Sequence, residues 1–89
     1  MLQPRIIGLE PLDSYKLKLQ YDTGEIKLFD VSPYISGEWF GLLRDKDYFK
    51  SVRIIPGGTG IEWREGQDIA PHELYEDGVP LLRAFEPQQ

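Results

Sequence analysis

The feature that most constrains the fold is a pair of alternating segments on either side of an Asp-Thr-Gly turn. Residues 15–21 alternate apolar and polar side chains, and residues 25–31 begin a second alternation. A period of two places successive side chains on opposite faces of a β-strand. In the second segment, Ile26 and Leu28 are therefore expected on the face opposite to Lys27. Because glycine readily takes the backbone conformation of a tight turn, the two segments predict an antiparallel hairpin with one buried face.

Shorter patterns complete the prediction of an α+β fold. Strands are expected at residues 4–12, 51–55 and 61–63, a second hairpin turn at residues 56–60, and short helical segments at residues 33–35, 38–43, 45–50 and 71–75. We therefore predict a small antiparallel β-sheet of about five strands in two hairpins, covered by short helices, in a single compact domain.

The domain is expected to end before an apolar tail. We assign residues 1–78 to the domain and residues 79–89 to the tail, in which Val79–Phe85 is apolar. Each large apolar side chain left in water costs about 1.5–3 kcal/mol. The tail is therefore expected either to dock on the sheet or to form an interface with another chain.

Residues 60–75 combine the last predicted strand with the last predicted helix. Ile61 and Trp63 share one face of the strand, which predicts that Trp63 is a core residue. Pro71 suits the first turn of a helix, where an N–H is not needed. Asp68 is expected to cap this helix.

Composition excludes several classes of function. The chain has 89 residues and no cysteine, so one domain is expected, without disulfides, thiolate metal sites or a thiol nucleophile. Its first residues lack a signal-peptide pattern, and no apolar run approaches the roughly 20 residues of a membrane helix. A cytoplasmic location without membrane association is the expectation.

The formal charge of −5 is concentrated in the last third of the chain. Residues 61–89 carry seven acidic and two basic side chains, which accounts for the whole imbalance. Because an acidic surface repels phosphate backbones, general nucleic-acid binding is not expected.

A series of motifs matches a known family in order and spacing. The motifs are Asp22-Thr23-Gly24-Glu25, Phe29-Asp30, Pro33-Tyr34-Ile35, Leu42-Leu43, Tyr48-Phe49 before Val52, and Ile61-Glu62-Trp63, followed by Gly66, Asp68-Ile69, Pro71 and Leu74-Tyr75. On these residues the chain resembles the DUF2442 family of small bacterial and phage proteins of unassigned function. The resemblance spans most of residues 4–75 and implies a compact α+β fold on an antiparallel sheet. It also implies a companion protein, sometimes in a toxin–antitoxin-like pair, and it transfers no catalytic residue.

We expect a non-enzymatic protein-interaction module without catalytic residues, cofactor or metal. The candidate partner-binding residues are Trp39, Phe40, Glu73, Glu76 and Asp77. Exposed aromatic side chains concentrate binding energy at interfaces, and acidic side chains attract a basic partner. The expected partner is another protein of basic charge, with a homodimer as a further alternative.

A nucleic-acid-associated regulatory role is the main alternative. Its candidate residues are Arg44, Lys46, Lys50 and Arg53, which form one locally basic stretch interleaved with Tyr48 and Phe49. Cations meet phosphates and rings stack on bases in single-stranded nucleic-acid sites. Asp45 and Asp47 interrupt this stretch, so a solvated surface of mixed charge is the simpler interpretation.

A metal site or acid–base pair is the third hypothesis. His72 is the single histidine, and Asp68 and Glu73 are near it in sequence. An Asp and a His four residues apart share one face of a helix. Pro71 is expected to start the helix after Asp68, which removes that spacing and favours a solvated helix surface.

Overall fold

A computed structural model describes residues 3–81, which form two antiparallel sheets and two short helices. The first sheet contains β1 (Ile6–Leu12), β2 (Lys16–Tyr21), β3 (Ile26–Asp30) and β7 (Val79–Pro80), in that spatial order. The second contains β4 (Arg53–Ile54), β5 (Ile61–Glu62) and β6 (Asp68–Ile69), with β5 in the middle. The helices are α1 (Lys46–Phe49) and α2 (Pro71–Asp77), and 3-10 segments span Asp13–Tyr15, Ser32–Tyr34 and Phe40–Arg44. The predicted α+β class is confirmed.

Each of the two sheets gains one strand beyond the predicted ones. β2–β3 and β4–β5 are the predicted hairpins, but β6 also pairs with β5 and β7 pairs with β3. The N–H of Trp63 donates to the Gln67 carbonyl at 2.9 Å, which turns the chain back after β5. Asp68 therefore lies in β6, and its predicted role as a helix cap is wrong. The N-cap of α2 is Ala70, which makes no side-chain capping bond.

The register of the first hairpin reverses the expected faces of β3. Tyr21 and Glu25 close a three-residue turn, because the Tyr21 N–H donates to the Glu25 carbonyl at 2.8 Å. Counting back from this pair sets Leu19 opposite Lys27. Lys27 is therefore on the buried face at 7% exposure, and the expectation that the apolar residues Ile26 and Leu28 would form that face is wrong.

Lys27 is tolerated on the buried face because α2 supplies partners for its ammonium group. The Nζ atom donates to the backbone carbonyl of Tyr75 and lies 3.6 Å from the centroid of the Tyr75 ring. A cation near the last carbonyls of a helix also interacts favourably with the helix dipole. Lys27 thus fastens α2 to the first sheet.

The core is formed by one face of the first sheet, the second sheet and the helical segments. Its most buried members are Ile6, Leu17, Leu19, Tyr21, Phe29, Val31, Leu43, Phe49, Ile61, Trp63, Ile69 and Leu74. Trp63 has no exposed surface, as predicted, and its indole N–H donates to the Phe49 carbonyl at 2.9 Å. The Trp63 and Phe49 rings lie 5.9 Å apart, and Phe49 meets Tyr15 edge-on at 5.3 Å.

The two sheets meet where Gly58 approaches β1. The Ile6 N–H donates to the Gly58 carbonyl at 2.9 Å. Gly58 has a φ of +74°, and a Cβ added there would lie 2.7 Å from the Ile6 carbonyl oxygen. This contact therefore requires glycine, both for its conformation and for its size.

The start of the predicted tail docks on the first sheet. Val79 pairs with Leu28, and the Leu81 N–H donates to the Ile26 carbonyl at 2.7 Å. The rest of the Val79–Phe85 segment lies outside the described residues. The outer strands of this sheet each contain a proline, Pro11 in β1 and Pro80 in β7. No helix in residues 3–81 has the length and apolar character needed to cross a membrane.

Replacing Trp63 by phenylalanine should lower the free energy of unfolding by about 2–4 kcal/mol. The smaller ring leaves a cavity, and the Phe49 carbonyl loses its donor. Urea unfolding followed by circular dichroism measures the change. Trp39→Phe is the matched control, and because that ring is half exposed its effect should stay within about 0.5 kcal/mol. Equal losses from the two variants would contradict a central role for Trp63.

Candidate functional site

Trp39 and Phe40 lie just before and at the start of the same 3-10 segment, but they differ in exposure. Trp39 is 51% exposed, whereas Phe40 is half-buried and packs against the core. The Phe40 ring therefore anchors the segment to the core, whereas the Trp39 ring is accessible to solvent. Leu42, the next exposed apolar side chain, is 44% exposed.

A buried polar network holds the backbone of Trp39. Gln67 is fully buried, and its Nε2 donates to the Trp39 carbonyl at 2.8 Å. Its Oε1 accepts from the Tyr48 hydroxyl at 2.7 Å, and that hydroxyl in turn accepts from the Glu65 N–H at 2.9 Å. The ring of Trp39 also lies beside Gly66, where an added Cβ would be 4.0 Å from the Trp39 Cζ2 atom. The exposed indole thus belongs to a residue whose backbone carbonyl is fixed by a connected set of hydrogen bonds around the buried Gln67.

The three acidic candidates occupy different positions on α2. Glu73 is half-buried and accepts a hydrogen bond from the Tyr34 hydroxyl at 2.6 Å. Glu76 and Asp77 are exposed in the last turn of the helix. Asp77 and Asp30 both line a concavity of about 300 Å³ beside Tyr34. Glu73 is thus engaged within the chain, while Glu76 and Asp77 face solvent.

One short segment connects the aromatic and acidic candidates. Tyr34 is held by Glu73 at one end, and Trp39 is held by Gln67 at the other. Five residues of extended chain span at most about 18 Å. The Cα atoms of Tyr34 and Trp39 are therefore at most about 18 Å apart.

The four basic candidates differ in their immediate surroundings. Arg53 is paired with Glu62, whose carboxylate accepts from its Nη2 at 2.7 Å and from its Nε at 2.9 Å. The guanidinium of Arg44 lies back over Gly41, where an added Cβ would be 2.9 Å from Arg44 Nη1. Lys46 and Lys50 line a separate concavity.

The positions of Asp68, His72 and Glu73 do not support the hypothesis of a metal site or acid–base pair. Asp68 is in β6 and His72 is in α2, so the two side chains do not share a helix face. The Glu73 carboxylate accepts a hydrogen bond from the Tyr34 hydroxyl. Among residues 3–81, no group of three or more histidine and carboxylate side chains is arranged to hold a metal ion.

The sequence analysis did not identify Gln67, which bonds the Trp39 carbonyl, or the unusual backbone of Ser14 and Tyr15. Gln67 gave only a weak signal, the alternation of Gln67, Asp68 and Ile69 that marks β6. Ser14 and Tyr15 gave none: both have left-handed backbone conformations, with φ of 63° and 59°, which non-glycine residues rarely adopt. Only tertiary contacts explain how these two conformations are held.

Tyr21 and Tyr34 both resist ionisation, for different reasons. Burial raises the pKa of Tyr21 to about 12, and its hydroxyl has no hydrogen-bond partner within the described chain. The hydrogen bond to Glu73, followed by desolvation and the negative charge of that carboxylate, raises the pKa of Tyr34 to about 12. The pKa of Glu25 is lowered by the hydrogen bonds that its carboxylate accepts, chiefly from the Thr23 hydroxyl and next from the Tyr75 hydroxyl.

Replacing Gln67 by leucine should lower the free energy of unfolding by about 1–3 kcal/mol, because the Tyr48 hydroxyl and the Trp39 carbonyl each lose a buried partner. Urea unfolding at neutral pH measures the loss. Gln20→Leu, at an exposed position of β2, is the control and should change stability by less than about 0.5 kcal/mol. A Gln67→Leu variant as stable as the wild type would show that the network does not hold Trp39.

Raising the pH above about 10 should reduce the stability that the Tyr34–Glu73 bond provides. Tyr34 ionises near 10 in the unfolded chain and at about 12 in the folded one, so the unfolded state loses its proton first and is favoured across this window. The stability gap between wild type and Tyr34→Phe should stay constant below about pH 10 and shrink above it. Urea midpoints across this range measure the gap, and a gap that persists to about pH 12 contradicts the assignment.

Comparison with known proteins agrees with the motif pattern. The sequence profile of the family described as "Protein of unknown function (DUF2442)" matches residues 6–80. The match continues past Tyr75, where the sequence motifs were expected to end, and includes β7. No curated protein and no solved structure matches the chain. Because the profile covers well over half of its length, the chain belongs to the DUF2442 family.

Proposed function

We propose that this protein is a non-enzymatic, cytoplasmic protein-interaction module that inserts Trp39 into an apolar pocket of its partner. The observation that carries the proposal is a half-exposed tryptophan whose backbone carbonyl accepts a hydrogen bond from the fully buried side chain of Gln67. The lack of cysteine is compatible with a reducing compartment.

Pre-organisation is the physical argument for a binding role. An interface loses affinity when it must order its side chains and backbone during association. Gln67 and Tyr48 fix the backbone of Trp39 beforehand, so less ordering remains for the complex. Leu42, on the same 3-10 segment, adds a second exposed apolar side chain. Tryptophan is also among the residues that most often dominate interface energetics.

The surrounding charge favours a basic partner. Glu38 and Glu65 are exposed and adjoin Trp39 and Gly66 in sequence. Glu76 and Asp77 lie in the last turn of α2, where the helix dipole favours cations and the helix itself carries no basic side chain. Carboxylates at this end of a helix oppose stability locally, and such conflicts are expected at functional positions.

The class of partner follows from the size of the domain and from its family resemblance. A chain of 89 residues with one small surface anchor suits a companion of comparable size. The proposed partner is therefore another small basic protein, as in a toxin–antitoxin-like pair. Self-association is the competing arrangement, and the experiment below separates the two.

Affinity capture from the native cells, with the tagged full-length chain as bait, tests the proposal. One basic protein should be captured in stoichiometric amount by the wild type and lost with Trp39→Ala. Removal of a central aromatic anchor costs at least about 2 kcal/mol of binding energy, which is a loss of about thirtyfold in affinity. The double variant Glu76→Lys/Asp77→Lys should weaken capture further as salt is lowered, because its charges repel a basic partner.

Two control variants make the result specific. Ile7→Ala removes another apolar side chain, 60% exposed on β1, and should leave capture unchanged. Glu10→Lys/Asp22→Lys reverses two exposed charges, one in β1 and one in the turn after β2, and should have little effect. Capture that survives Trp39→Ala, or that falls equally with Ile7→Ala, would overturn the proposal. Capture of an untagged copy of the same chain would show self-association instead.

A further inference from the structure

A concavity at the first turn of the chain has the character of a small-molecule site. It lies between the Asp13–Tyr15 segment and α1 and has a volume of about 480 Å³. Ligand sites in proteins typically occupy roughly 300–1,000 Å³. We propose that this concavity binds a nucleoside monophosphate, with the phosphate held by Lys46 and Lys50.

Two lysines define the charge of the proposed site. Lys46 and Lys50 are four residues apart, so they project from one side of α1, and both line the concavity. Neither is within salt-bridge distance of a carboxylate in the described chain, where the ion pairs are Lys18 with Glu10 and Arg53 with Glu62. The concavity thus carries two lysine charges against the single carboxylate of Asp13. Lysine binds phosphate as a point charge.

The remaining lining selects a phosphate ester over a bare anion. Leu12 and Tyr15, with the buried Phe49 behind them, supply apolar surface that an aromatic base can cover. Asp13 and Ser14 complete the lining. The Asp13 carboxylate accepts hydrogen bonds and suits the hydroxyl groups of a ribose, but it disfavours a second phosphate.

The backbone strain of the chain coincides with this lining. Ser14 and Tyr15 are the two non-glycine residues of positive φ within residues 3–81. Tyr15 is held in this conformation by three contacts: its carbonyl accepts from the Val31 N–H at 2.9 Å, its hydroxyl donates to the Arg44 carbonyl, and its ring meets Phe49. Residues held in sparsely populated conformations cluster at binding sites. The strain here places Tyr15 in the wall of the concavity.

The distribution of the other cations argues against a polymeric ligand. A nucleic-acid strand requires cations spaced along its backbone. Arg53 is paired with Glu62, and Arg44 lies back over Gly41. Of the four basic candidates, only Lys46 and Lys50 line the concavity, which matches a single phosphate group.

Titration of the full-length chain with adenosine and uridine 5′-monophosphate, followed by backbone amide NMR shifts, tests the proposal. Saturable shifts should centre on residues 12–15 and 46–50. Adenosine and inorganic phosphate, each lacking half of the ligand, should bind at least about tenfold more weakly. Lys46→Gln/Lys50→Gln should lower the affinity by about tenfold or more, because it removes both phosphate contacts.

The control is Lys16→Gln/Lys18→Gln, which removes two cations of β2 that do not line the concavity. It should bind the nucleotide like the wild type. Absence of saturation at about 1 mM nucleotide would overturn the proposal, as would equal losses in the two double variants. A 5′-phosphorylated decanucleotide that binds more tightly than the mononucleotide, with a steep dependence on salt, would also overturn it in favour of a polymer.

Discussion

The buried indole of Trp63 is the contact on which the rest of the structure depends. Two-stranded hairpins and three-stranded sheets of two-residue strands are marginal by themselves in water. Trp63 connects these pieces: its ring packs on Phe49, its N–H bonds the end of α1, and Phe49 in turn packs edge-on against Tyr15 of the first sheet's hairpin turn. The same residue sets the turn into β6 through its backbone. One side chain therefore couples the second sheet, α1 and the first sheet into a single cooperative core.

The elements that local chemistry specifies were predictable from the sequence. The alternation of residues 15–21, the glycine-rich turn at residues 56–60 and the proline at the start of α2 all correspond to observed elements. The inward position of Lys27 follows from the length of the turn, because a three-residue turn closed by Tyr21 and Glu25 fixes the register of the hairpin. Hydrophobicity alone assigned the wrong face, since it cannot account for a carbonyl and a ring that arrive from a helix 48 residues later.

The candidate surfaces were less predictable because they depend on tertiary contacts. The sequence identified Trp39 and Phe40 as a pair but could not say which ring faces solvent. That outcome depends on Gln67, a residue 28 positions away whose amide bonds the Trp39 carbonyl in the folded chain. The left-handed conformations of Ser14 and Tyr15 likewise depend on Val31, Arg44 and Phe49. Long-range polar contacts of this kind leave no periodic pattern in a sequence.

The prolines in the outer strands of the first sheet have a consequence for how this protein can assemble. Pro11 and Pro80 cannot donate a backbone hydrogen bond, so each interrupts the row of N–H groups that a further strand would need. Templated growth of the sheet into a fibril, and recognition of an extended peptide by strand addition, are both disfavoured at these edges. Any contact that another chain makes along these two edges is therefore expected to use side chains rather than the backbone hydrogen bonds of the sheet.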